Sequence, residues 1–353
     1  ISFRIGKPIP WESIAAMDLS KKAVAKLMRK QVYLLSQKKK KELFKPIENI
    51  IHPVRTKLIR KELKASQLIG KTQDGKHIYL FDYMPNSSVM REIGRLRELS
   101  FRQVQEGTGN ALDIDSYDRY YRHLILWDED ELEIIGSYRI GEAAKILKKH
   151  GEAGLYTHSL FKFNQSFIPY LEHSIELGRS FIQPRYQGKR SLDYLWYGIG
   201  AYLYQHPEIR YLIGPVSLST SWPEPAQKVI ASFYTELFGN NKILVDPRLP
   251  FDFEPIQEFA PFTQVADEEN YKQAYAILKA LMDDFGVKVP ILYKQYVELC
   301  QPGGCEFLGF NIDPSFSNCV DALILVHINT IKEKKHQRYI ESHATVFQKR
   351  DSA

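Results

Sequence analysis

Apolar positions along this chain change period several times, and each change marks a predicted element. His77-Ile-Tyr-Leu-Phe-Asp-Tyr83 is dense in β-branched and aromatic residues and reads as a strand. After Pro85-Asn-Ser-Ser88 the period lengthens. Val89, Ile93, Leu96 and Val104 share one face of a helix expected over about 89–105, with Gly107 as its stop. His123-Leu-Ile-Leu-Trp-Asp128 and Ile134–Ile140 flank an acidic turn and read as an antiparallel hairpin. Residues 142–150 read as a helix ended by Gly151. The strand Ile175–Ile182 leads through Pro184–Gly188 into a helix over about 191–205, in which Leu192, Leu195, Trp196, Ile199 and Leu203 keep helical spacing. Tyr211–Ser217 is a strand, helices are expected at 224–238 and 268–285, and strands near 305–311 and 321–328 follow. Mixed strands interleaved with helices predict an α/β fold, a sheet sandwiched by helices.

The first quarter reads differently. Residues 1–11 suggest a short strand and turn, and about 20–37 a helix with Val24, Leu27, Met28, Val32 and Leu35 on one face. Residues 46–76, with Pro46, Pro53 and the turn Asp74-Gly75, resemble a linker. The expected divisions are a basic helical segment (1–45), a linker (46–76), a main domain (77–330) and a polar tail (331–353).

Charge sharpens the picture of the N-terminal segment. Residues 21–64 hold 15 Lys+Arg against 3 Asp+Glu, so this stretch carries +12 and the rest of the chain −6. The run Lys38-Lys-Lys-Lys41 lies inside it. Such a segment is either a solvated helix face or an attraction for an anionic surface. No aromatic residues interleave the basic run and no nucleic-acid motif is present, so nucleic acid is not expected as a partner. An anionic membrane surface or an acidic protein is preferred. Composition is otherwise that of a globular chain, 44% hydrophobic and 25% charged, without an apolar run long enough to span a bilayer as a helix. Cys300, Cys305 and Cys319 lack zinc spacing and read as free thiols in a reducing, cytoplasmic setting; no metal site is expected.

Candidate chemistry concentrates on the strand 175–182 and the turn after it. Peptide N–H groups at a helix N-terminus form an anion site, and Gly188 with Arg185, Lys189 and Arg190 would suit a phosphate-bearing ligand. Arg185-Tyr-Gln-Gly188-Lys-Arg190 resembles the pantetheine loop of N-acetyltransferase-like (GNAT) enzymes, but Arg190 stands where those enzymes carry a small residue. Arg97-x-x-x-Phe101, Asp115-x-x-Asp118, Arg139 and Glu176-x-x-Arg179 resemble the acyl-homoserine-lactone synthase branch and the ornithine N-acyltransferases of aminolipid synthesis. Leu96–Arg102, His123–Asp128, Glu176–Ser180 and Leu195–Gly200 are similar to bacterial hemolysin-like acyltransferases. The likeness covers roughly residues 75–330. Residues 1–45, with Ile5-Gly-Lys-Pro-Ile9, resemble the tail of a lysophosphatidate-type O-acyltransferase domain. His123 and Asp128 have that family's His-x-x-x-x-Asp spacing, but on a strand they point to opposite faces and are not that motif.

The resemblance implies an N-acyltransferase with a GNAT fold. It would move a (3-hydroxy)fatty acyl group from acyl carrier protein, with acyl-coenzyme A as the alternative donor, to the α-amine of an amino acid. Ornithine is the first expectation for the acceptor, with glycine, lysine and glutamine open. No permanently bound cofactor is implied, and the enzyme would sit peripherally on the cytoplasmic face of the inner membrane. Glu176 would be the base; an amine is mostly protonated at neutral pH and needs one. Arg179 would act beside it. Asp115 and Asp118 would hold a cationic acceptor, while Arg97 and Arg139 would pair with the acids or grip the acceptor carboxylate. Phe101 and Phe161 would line the acyl pocket, and Phe181, Arg185, Gly188, Lys189 and Arg190 would face the donor. Competing readings are a homoserine-lactone synthase, a lytic membrane-binding protein, and a carrier-protein-binding module in which the ion pairs serve only the fold.

Overall fold

The computed structural model describes residues 3–15, 17, 19–35, 43–44, 47–262 and 268–343. In it, period-two alternation sorts the strand residues to two faces. The main sheet contains β1 (Gln67–Lys71), β2 (His77–Asp82), β3 (Arg122–Asp128), β4 (Glu133–Glu142), β6 (Ser174–Ile182), β7 (Tyr211–Leu218), β9 (Cys305–Asp313) and β10 (Cys319–His327); β5 (Phe161–Phe163) and β8 (Val245–Pro247) form a separate pair. Ile78 and Leu80 of β2, with Leu124 and Leu126 of β3, enter the core on one face. Their neighbours Tyr79, Phe81, Ile125 and Trp127 enter a second core on the other.

Helices cover both faces. In chain order they are α1 (Trp11–Ala15), α2 (Lys21–Leu34), α3 (Thr56–Lys64), α4 (Ser88–Gln103), α5 (Ala143–His150), α6 (Ile168–Leu171), α7 (Ser191–Gln205), α8 (Glu224–Phe238), α9 (Glu268–Asp284), α10 (Ile291–Leu299) and α11 (Glu333–Tyr339). Residues of α7, α8, α9 and α10 build the first core, and α3 and α4 the second. A third core gathers Tyr121, α5, Phe161 and Phe167 against Ile213, Leu323 and Leu325. Among the described residues, no helix is long and apolar enough to cross a membrane.

Strand order is β1-β2-β3-β4-β6-β7-β10-β9, antiparallel throughout except at the centre. There β6 and β7 run parallel, and they pair only over Ser174–Glu176 with Tyr211–Ile213. Gly214 permits this approach, because a Cβ on it would lie 2.1 Å from the Leu177 carbonyl oxygen. Beyond this contact the strands part. β6 stays on β4 through a register shift opposite Arg179, whose φ of 48° kinks the strand, and β7 stays on β10. The result is a notch in the middle of a wide sheet.

The N-terminal third departs from the sequence expectation. Residues 56–71 are not a linker: α3 buries Ile59 and Leu63, and β1 is the edge strand paired with β2. Residues 3–10 form no strand, and α1 follows them. The basic helix begins behind its cap, where Ser20 accepts from the Ala23 amide, but Pro46, Gln37 and Lys38–Lys41 lie outside the described residues. The expected polar tail contains α11, which packs on α7 through Tyr339 and Trp196.

Candidate functional site

The notch encloses a cavity of about 110 Å³. β6 lines it with Leu177, Gly178, Arg179 and Ser180, β7 with Pro215, Val216 and Ser217, and α10 with Leu292 and Tyr296. Gly178 borders open space; a Cβ built there meets no atom within 4 Å. Phe101 from α4 and Phe316 from the β9–β10 turn close one side, edge to face at 5.0 Å.

Two carboxyl groups face this cavity. Asp321 of β10 is 2% exposed and accepts from the Ser217 hydroxyl at 2.7 Å. Burial, with repulsion from Asp313, pushes its carboxyl up to about 7 against the easing effect of Ser217 and Arg179. Glu106 arrives by a turn after α4, in which Gln105 adopts φ 60°. Burial and the Asp321 charge push its carboxyl up to about 8, with Arg179 opposing. Sequence reasoning missed both; a lone acid inside the apolar run Cys319–Val326 is the signal that could have found Asp321. Glu106 carried no comparable signal.

Arg179 links the notch to a buried ionic cluster. Its guanidinium lies 4.6 Å over the Phe316 ring and 5.0 Å over Tyr156, with oxygens of Asp113 and Asp115 at 3.4 and 3.5 Å from its nitrogens. Its Nε makes no hydrogen bond among the described residues. Behind it Arg97 donates to Asp118 at 2.8 Å, and Arg139 donates to both oxygens of Asp115 at 2.7 Å. Asp118 also accepts from the Asp115 amide, and Asp115 from the amides of Tyr117 and Asp118. Burial opposes ionisation of Asp118, but Arg97 and Arg139 outweigh it and hold the carboxyl well below its usual range.

The structure therefore gathers most of the residues singled out by sequence but changes several of their roles. Asp115 and Asp118 are committed to arginines and backbone amides, so they are not free to seat a cationic acceptor. Arg97 and Arg139 are fully buried within the same cluster and cannot grip a carboxylate in the notch. Glu176 does not line the cavity. It is 2% exposed and accepts from the Tyr121 hydroxyl, the Tyr156 amide, and both the amide and hydroxyl of Thr157. A carboxylate so occupied ties β6 to the turn at 156–159, which removes it as the expected base. Phe161 sits in the third core and Phe181 in the second, both away from the cavity lining. His123 contacts Arg97 and the Asp118 carbonyl, while Asp128 pairs with Lys76, so the two do not meet.

The loop before α7 forms a second surface. Gly188 takes φ 74° at the turn, and Lys189 and Arg190 border a depression of about 500 Å³ at the helix N-terminus. Arg185 borders it too, but is engaged with Glu131 and Glu133 at 3.1 and 2.9 Å. The Arg190 side chain makes no capping bond to α7.

The central parallel pair splays around a cavity, and a glycine turn and α7 follow its first strand, the arrangement of the GNAT fold class. Residues 96–197 match the family model of the acetyltransferase (GNAT) domain. The chain is 32% identical over 310 residues to glycine N(alpha)-acyltransferase of Phocaeicola vulgatus, covering 84% of this chain and 94% of that protein. It is 33% identical over 316 residues to glycine N(alpha)-acyltransferase of Bacteroides thetaiotaomicron, covering 84% and 92%. It is 26% identical over 264 residues to L-ornithine N(alpha)-acyltransferase of Rhodobacter capsulatus, covering 71% and 90%. The chain belongs to this family of amino-acid N(alpha)-acyltransferases.

Proposed function

We propose that the chain transfers a fatty acyl group from the phosphopantetheine thioester of acyl carrier protein to the α-amine of glycine. The observation that carries this reading is the placement of two buried carboxyl groups, Asp321 and Glu106, in the cavity between the splayed strands. At neutral pH Asp321 is partly ionised and Glu106 largely protonated, an acid and base separated by environment. Asp321 takes a proton from the acceptor ammonium. The freed amine attacks the thioester carbonyl and forms the C–N bond. The C–S bond then breaks, Glu106 supplies the proton that the departing thiolate takes up, and the second proton shed by the acylated nitrogen restores Glu106, while Asp321 returns its own to solvent. Unpaired backbone of β6 beside Gly178 receives the donor arm and the oxyanion.

Glycine is preferred over ornithine because the acids suited to a side-chain ammonium are already neutralised by Arg97, Arg139 and Arg179. Arg179, the arginine of the cluster that lines the cavity, would take the substrate carboxylate. Arg190 stands at the cap of α7 where the coenzyme A pattern has a small residue, and that departure is the reason for preferring the carrier-protein donor. The test is acyl transfer by the purified chain, read by mass spectrometry, with palmitoyl-carrier protein or palmitoyl-coenzyme A against glycine and ornithine. N-acylglycine formed faster from the carrier protein is expected. Preference for ornithine would overturn the acceptor, and preference for coenzyme A the donor.

A further inference from the structure

We infer that the N-terminal segment containing α2 is a docking surface for an anionic lipid bilayer. Of the 15 large hydrophobic residues that stand exposed among the described residues, seven fall between Phe3 and Tyr33. Phe3, Ile5 and Trp11 are 86, 94 and 70% exposed. α2 buries none of its residues. Val24, Leu27 and Leu34 on one side are partly covered, whereas Met28 and Val32, one helical turn apart, face outward. Lys21 lies within that outward stripe, Arg29 and Lys22 flank it, Lys26 and Lys30 continue the cationic arc beyond them, and the helix contains no acidic residue. An apolar stripe beside cations, without a compensating acid, is the pattern of a helix lying in a membrane interface: the stripe enters the acyl boundary and the cations meet lipid phosphates. A protein groove would have to supply the same combination of apolar floor and anionic rim, which a bilayer presents everywhere. The charge imbalance of the chain, +12 over residues 21–64 against −6 elsewhere, fixes which end faces the anionic surface.

The experiment is co-sedimentation of the full chain with phosphatidylcholine vesicles, with or without about 30% phosphatidylglycerol, at low and high salt. Binding to the anionic vesicles, weakened by salt, is expected. Each of Lys22→Glu, Lys26→Glu, Arg29→Glu and Lys30→Glu should lower partitioning about fivefold or more. Met28→Ser with Val32→Ser should lower it with the charges unchanged. Transfer of a short, water-soluble acyl group to the amino acid should stay as in the parent protein for all of them, which verifies that the variants fold. Equal binding to neutral vesicles, binding indifferent to both sets of substitutions, or self-association without vesicle binding would overturn the inference. The last outcome would assign the face to a second copy of the chain.

Discussion

Asp321→Asn separates catalysis from stability in one residue. Holding a carboxyl at about 7 where its ordinary value is 3.8 corresponds to roughly 4 kcal/mol, at 1.36 kcal/mol per pH unit. The unfolded chain releases this proton near 3.8 and the folded chain retains it to about 7. The native state is therefore favoured in full below the lower value, and that advantage is lost progressively as pH rises to the upper one. Asparagine is neutral throughout and can still accept from Ser217. Relative to the parent protein, the variant should gain stability progressively as pH rises from about 4 to about 7, by roughly 4 kcal/mol at most, measured by denaturant unfolding at each pH. Its acyl transfer should fall about 10²–10⁴-fold, the usual contribution of a positioned base. The parent rate should rise with pH through about 7, and the residual rate of the variant should lose that inflection. Retained activity, or a stability difference that does not change with pH, would refute the assignment.

Three further outcomes follow from the same geometry. Gly178→Val places a side chain in open space beside the notch, so unfolding should be unchanged while kcat/KM drops about 100-fold or more, as steady-state kinetics will read. Glu176→Gln turns an amide toward hydroxyl and amide donors. It should cost about 2–4 kcal/mol in denaturant unfolding, while the variant that folds keeps the parent pH–rate inflection. Arg97→Met leaves Asp118 buried with one cation fewer and should cost about 3–5 kcal/mol at neutral pH. Because the pairing lowers the Asp118 carboxyl, this deficit should shrink as pH falls below about 4, which acid-unfolding curves will read.

Sequence pattern located β6, α7 and the β3–β4 hairpin within a residue or two, because each has strong periodicity and a clear punctuator. It missed β1, whose five residues are an edge strand with mixed burial, and α10, which follows Pro290 without a clear apolar period. The arginine–aspartate spacings correctly marked residues that assemble together. Spacing could not reveal that Asp115 and Asp118 spend their charge on Arg97 and Arg139, since partner choice is decided by packing. The cavity carboxyls were harder still. Glu106 and Asp321 are separated by most of the chain and meet only because β10 lies against β7 and the turn after α4 reaches across the notch. Glu176 looked like the best base because it is an acid on the central strand. Burial with four donors is a tertiary property that its neighbours in sequence do not encode.

The seam between β6 and β7 has an evolutionary consequence. Its two lips are inherited from different parts of the chain: one belongs to residues 96–197, which the GNAT family model describes, and the other to β7, α10 and β10, which lie outside it. Relatives can therefore keep the recognisable half intact while exchanging the other. Choice of acceptor and acyl group can diverge through Val216, Leu292 and Tyr296 without a trace in the segment by which the family is recognised.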